Sequence, residues 1–169
     1  MQVFLWFGLL WAQDAVASVK ENHLDLNQFI PIGKGFDGYP FFEETSWRSE
    51  VAGDGQTRVV FRGVIDDPAA VTHFEENHKY HLDSNLKAIQ LQPYYGLEKD
   101  KDKLAFEIHF LVYQDQSFAV QKGTLFIRVE STGEWRSKPL TNKAVVEVIT
   151  GFFRKRNPYL SLIQGLPFK

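Results

Sequence analysis

The chain has 169 residues, of which 44% are hydrophobic and 24% charged, so it has room for one ordinary globular domain and excludes a disordered one. The absence of cysteine excludes disulfides, Cys-ligated zinc, iron–sulfur clusters and thiol catalysis together. A net charge of −2 gives no field to hold a polyphosphate backbone, so nucleic acid is not an expected partner.

Residues 1–12, MQVFLWFGLLWA, carry no charge. Gln13 and Asp14 end the run, and Ala15-Val16-Ala17 supplies the small-x-small pattern of a signal-peptidase site ahead of Ser18. An apolar helix of this length spans about 18 Å against the ~30 Å of a hydrocarbon core, so no transmembrane span is expected. Export signals normally carry a Lys or Arg before the apolar run, and none stands here. Either the true start lies upstream or the segment is a buried terminal element. The reading taken is residues 1–17 as an export signal and residues 18–169 as a single domain, periplasmic or secreted.

Beyond the leader, Ser18 to Gln28 reads as a short helix or irregular lead-in, and Phe29 to Ile32 as an apolar clip. Gly33 to Pro40, GKGFDGYP, is dense in turn residues and predicts a loop. Trp47, Ser49 and Val51 alternate with Arg48 and Glu50, Gly53-Asp54-Gly55 turns the chain, and Val59, Phe61, Gly63 and Ile65 alternate on the way back, a hairpin pattern. Asp66-Asp67-Pro68 is a helix start, with the helix running to about Leu82. Ile89 and Leu91 alternate up to Pro93 as a strand, and Lys99 to Lys103 is a charged turn.

Phe106, Ile108, Phe110 and Val112 give the cleanest two-residue alternation. Phe118 and Val120 continue it on even positions, and Leu125, Ile127 and Val129 on odd ones. That change of parity requires an extra residue, which predicts a β-bulge at Gly123. Thr141 or Asn142 is positioned to cap a last helix bearing Val145, Val148, Ile149 and Phe152 on one face, ending near Arg154-Lys155-Arg156 and Asn157-Pro158. The expected fold class is α+β, an antiparallel sheet of about five strands with helices packed on one face. Its general layout is similar to that of cystatin-like and NTF2-like cones, an architectural analogy that implies nothing about activity.

Gly33-Lys34-Gly35-Phe36-Asp37-Gly38 fits the dinucleotide pattern G-x-G-x-x-G, but Tyr39-Pro40 follows where a helical run is needed. The segment reads instead as an exposed loop whose Phe36, Tyr39, Phe41 and Phe42 form a contact surface. On that reading alanine at Phe41 and Phe42 leaves folding intact and removes binding. A second candidate lies on the 68–82 helix, where Val71, Phe74, His78, His81 and Leu82 fall within about 100° of one another and Glu75 borders them. His78, His81 and Glu75, with His109 from a strand, form an incomplete ligand or acid–base set. The adjacent acids Glu43-Glu44, Asp66-Asp67 and Glu75-Glu76 diverge in a strand or helix and make poor dyads.

No G-x-S-x-G, H-E-x-x-H or S-x-x-K pattern occurs. The expectation is therefore a non-catalytic exported domain, without a cofactor, that binds an envelope or secreted protein or a small ligand. The alternative is a small enzyme or metal-binding protein built on Glu75, His78, His81 and His109.

Overall fold

The alternating segments pair into an antiparallel sheet in the computed structural model, which describes residues 15–51, 56–66, 70, 103–129 and 132–165. Its strands are β1 (Phe42–Val51), β2 (Thr57–Ile65), β3 (Lys103–Val112), β4 (Phe118–Arg128) and β5 (Trp135–Pro139). Their spatial order is β1-β2-β3-β4-β5, with every neighbouring pair antiparallel, so among the described residues β1 and β5 are the two edges. The fold class is α+β, as the alternation predicts. Val59 lies opposite Phe110 and Phe61 opposite Ile108, so the apolar sets of β2 and β3 share one face. There they join Leu104, Phe106, Leu125 and Ile127 in the core.

Four helices are described: α1 over residues 15–21, α2 (Ile32–Asp37), α3 (Asn142–Arg154) and α4 (Pro158–Gly165). Thr141 caps α3, its hydroxyl accepting from Ala144 N–H at 3.2 Å. Lys155 closes the helix in the left-handed region at φ 52°, and Arg156 N–H donates to the Gly151 carbonyl at 2.9 Å. The stripe Val145, Val148, Ile149 and Phe152 is buried. Residues rich in β-branching thus form a helix, because their apolar positions repeat at helical and not strand spacing. The tail continues as α4, which buries Tyr159 and Leu162. Asn157 joins it to the rest of the chain, accepting from Tyr159 N–H at 3.0 Å and donating to the Ala70 carbonyl at 2.6 Å.

Two local expectations are corrected, and one strand is new. The segment expected as a glycine loop contains helix α2. Gly35 explains why the glycines are there: a β-carbon on it would fall inside the Phe153 ring of α3. The glycine allows close approach between helices, and a six-residue helix of low propensity is held by that packing. The β-bulge in β4 falls at Gln121 and not at Gly123. His109 pairs with Lys122 and Phe110 with Val120, so Gln121 has no partner in β3. Gly123 stays in the ladder, where a β-carbon would stand 2.9 Å from a Val145 methyl of α3. Strand β5 was not foreseen, because all five of its residues are exposed and no apolar alternation marks it.

The apolar run 1–12, the helix expected from Pro68 to Leu82 apart from Ala70, and the strand expected at Ile89 lie outside the described residues. Ala15-Val16-Ala17 lies inside them as the start of α1, with Ala15 and Val19 in the core. Among the described residues no helix is long and apolar enough to cross a membrane.

Candidate functional site

The aromatic residues expected on an exposed loop are core residues. Phe36, Tyr39 and Phe41 are buried, and Phe42 packs against the core while half-buried. Phe36 is the hub, with ring centroids at 4.8 Å from Phe61, 5.0 Å from Phe152, 5.9 Å from Phe153 and 6.0 Å from Phe110. The Tyr39 hydroxyl donates to the Arg156 carbonyl at 2.6 Å, and burial pushes its ionisation far above the ordinary phenol range. These side chains bury the largest apolar areas available in the segment, which outweighs its turn-like composition. The most exposed of the large apolar side chains among the described residues is Phe29, 94% accessible.

What lies beside them is an open groove of about 1090 Å³. Val16, Ala17, Lys20 and Glu21 of α1 form one wall, Pro31, Gly33, Lys34, Asp37 and Gly38 in and around α2 another, and Trp47, Arg48 and Ser49 of β1 the third. Trp47 is half-buried. Its ring meets Phe61 at 4.9 Å and Phe36 at 5.8 Å, and its Nε1–H donates to Asp37 Oδ1 at 2.7 Å. Lys20 Nζ pairs with Asp37 Oδ2 at 2.7 Å and stands 5.4 Å over the Trp47 ring. Both partners are about one-third exposed, so the pair orients the indole more than it stabilises the fold. A tethered tryptophan with a cation over it offers an incoming group an apolar wall and a charged rim.

Side-chain direction locates the groove. Trp47 contacts the core face, whereas Arg48 reaches Glu107 on the opposite face. Successive residues of a strand alternate between faces. A groove lined by Trp47, Arg48 and Ser49 together therefore opens along the backbone edge of β1, on the side of the sheet that carries Trp47, α1 and α2.

The opposite face carries a second constellation. Glu107 of β3 is 7% exposed, and its Oε1 accepts from Arg62 Nη1 at 3.1 Å and Arg48 Nη1 at 3.3 Å. Its Oε2 lies 3.4 Å from His109 Nε2. The Arg62 guanidinium also stacks over Phe126 at 4.8 Å and Trp135 at 5.0 Å. Burial pushes the Glu107 carboxyl up, but the two arginines more than offset it and hold the group below its usual range. Burial, aided by Lys122, lowers the His109 pKa, with Glu107 opposing. Glu107 can only accept, which places the imidazole proton on Nε2. His109 Nδ1 is then a buried acceptor with no partner among the described residues.

His109 is thus brought beside Glu107, and among the described residues no group of three potential ligands could hold a metal ion. Glu75, His78 and His81 lie outside the described residues. The sequence reading missed Lys20, Asp37, Trp47, Arg48, Arg62 and Glu107. Arg62 faces Glu107 directly in the β2–β3 register, a relation that an alternating sequence contains but cannot reveal until the register is known.

No protein-family model, no curated protein and no solved structure matches the chain.

Proposed function

We propose that this chain is an exported, non-catalytic binding domain that takes up its ligand in the groove between α1, α2 and β1. The observation that carries the reading is the tethered, half-buried Trp47 in the wall of an open groove of about 1090 Å³. Protein interiors are packed close to crystal density. A surface concavity of this size, bordered by an aromatic ring and two lysines, is the kind of place where ligands gain contact area. Export rests on the apolar run and on Ala15-Val16-Ala17. Cleavage after Ala17 would remove Ala15, Val16 and Ala17, the first three residues of α1, and with them part of one wall. Lys20 and Glu21 remain in the chain, and the α2 and β1 walls are untouched.

Two experiments test the reading. Glu21 is exposed on the groove wall, so Glu21→Trp fills the space from solvent. Its melting curve is expected to match the parent, while ligands recovered from a mixed peptide and small-molecule screen lose about tenfold or more in affinity. Ligands that bind parent and variant equally would place recognition elsewhere. For export, protein recovered outside the cytoplasm of a host with a signal peptidase is expected to begin at Ser18 by intact mass. Retention inside the cell with Met1 in place would count against export.

A further inference from the structure

We propose that the groove ligand is an extended peptide of another protein, which joins β1 as an added strand with apolar residues on the groove side and an acid opposite Arg48. This rests on the groove reading and deepens it. Strand β1 is ten residues long, about 33 Å at 3.3 Å per residue. Its ladder runs to β2 alone, and among the described residues no backbone hydrogen bond from residues 43–51 reaches any other segment. On such an edge alternate residues point N–H and C=O groups outward, and another strand satisfies them all at once.

The two edges of the sheet differ in how they meet that liability. Strand β5 is half as long, carries Arg136 and Lys138, and ends at Pro139, features that discourage pairing. On β1 Glu43 sits at a break in the register, the charges Glu44, Arg48 and Glu50 lie on the face shared with Arg62, Val60 and Arg58, and Thr45, Trp47 and Ser49 lie on the groove side. The guard is one-sided, and the unguarded side faces the groove.

The neighbours fix the chemistry of the added strand. Its residues on the groove side would lie beside the Trp47 ring, so they are apolar. On the other face an acid is favoured opposite the half-exposed Arg48 guanidinium alone, since Glu44 and Glu50 share that face and repel acids placed opposite them. Lys34 is exposed at the rim and adds attraction for a net-acidic segment.

The test selects the full chain against a displayed library of random ten-residue peptides. The enriched peptides are expected to alternate apolar and polar residues, with an acid at one of the polar positions. For the best of them, backbone N-methylation at one parity of positions weakens binding about tenfold or more, while the other parity is tolerated. Amide exchange of residues within 45–50 slows in the complex. Lys34→Glu, which melts like the parent, weakens binding about fivefold. Peptides that Glu21→Trp blocks, but whose N-methyl scan shows no parity and whose complex leaves the β1 amides exchanging freely, overturn strand addition and leave the groove reading standing. No groove-dependent peptide at all overturns the inference. A concentration-dependent dimer that protects the same amides would make a second copy the occupant and overturn it too.

Discussion

Replacing Phe36 by alanine lowers the unfolding free energy by about 4 kcal/mol, the cost of deleting a fully enclosed ring that its surroundings cannot close over. The side chain is wholly buried, and its neighbours come from four elements: Trp47 of β1, Phe61 of β2, Phe110 of β3, and Phe152 and Phe153 of α3. Those neighbours are held by their own strands and helix, so the void stays open. Several edge-on ring contacts, each worth about 0.5–1.5 kcal/mol beyond area burial, vanish together. Urea unfolding should show the midpoint falling at an unchanged slope. Phe41→Ala, also in the core, should cost about 3 kcal/mol, the reverse of the expectation that alanine there leaves folding intact. Phe29→Ala, at 94% exposure, should stay within about 0.5 kcal/mol of the parent. If Phe36→Ala and Phe29→Ala behave alike, α2 does not pack as described.

The same residues show which parts of the structure were legible beforehand. Strands β1 to β4 could be read because apolar side chains alternate toward the core face, so side-chain period became residue pattern. Phe106, Ile108 and Phe110 are the clearest case. The parity change in β4 required a bulge, but the pattern placed it within a window of a few residues. Glycine drew attention to position 123 although the unpaired residue is Gln121. In GKGFDGYP the glycines were read as turn formers when Gly35 marks contact with Phe153. Composition cannot separate those roles, since both need a missing β-carbon. The groove was illegible for a further reason. It is made by α1, α2 and β1 meeting, and nothing local in Lys20, Asp37 or Trp47 says that they meet. Of the site residues named from sequence, His109 lies in a polar cluster with Glu107, two residues away, which no sequence pattern marks.

That cluster sets the expected acid response of the fold, which should lose stability in two stages. His109 titrates lower in the folded protein than the ordinary 6.5, chiefly through burial. The unfolded chain therefore takes up that proton first, and stability present above pH 6.5 is lost as pH falls toward the folded value. Glu107 is likewise held below the ordinary 4.5 by Arg48 and Arg62. Its contribution is complete above pH 4.5 and is lost as pH falls through the folded pKa. Glu107→Gln should remove the lower stage and cost about 2–3 kcal/mol at pH 7. That sits below the figure for a fully buried pair because the Arg48 side chain is 48% exposed and the Arg62 side chain 25% exposed. The decisive measurement is the His109 ring-proton titration by NMR. Glu107 favours the charged imidazole and Lys122 disfavours it, so Glu107→Gln should move the midpoint down and Lys122→Ala should move it up. Shifts in the same direction, or none, would mean that His109 does not sense the Glu107 and Lys122 charges as this geometry requires. Opposite shifts would tie the acid sensitivity of the sheet to one face, leaving the β1 groove free to be tested near neutral pH.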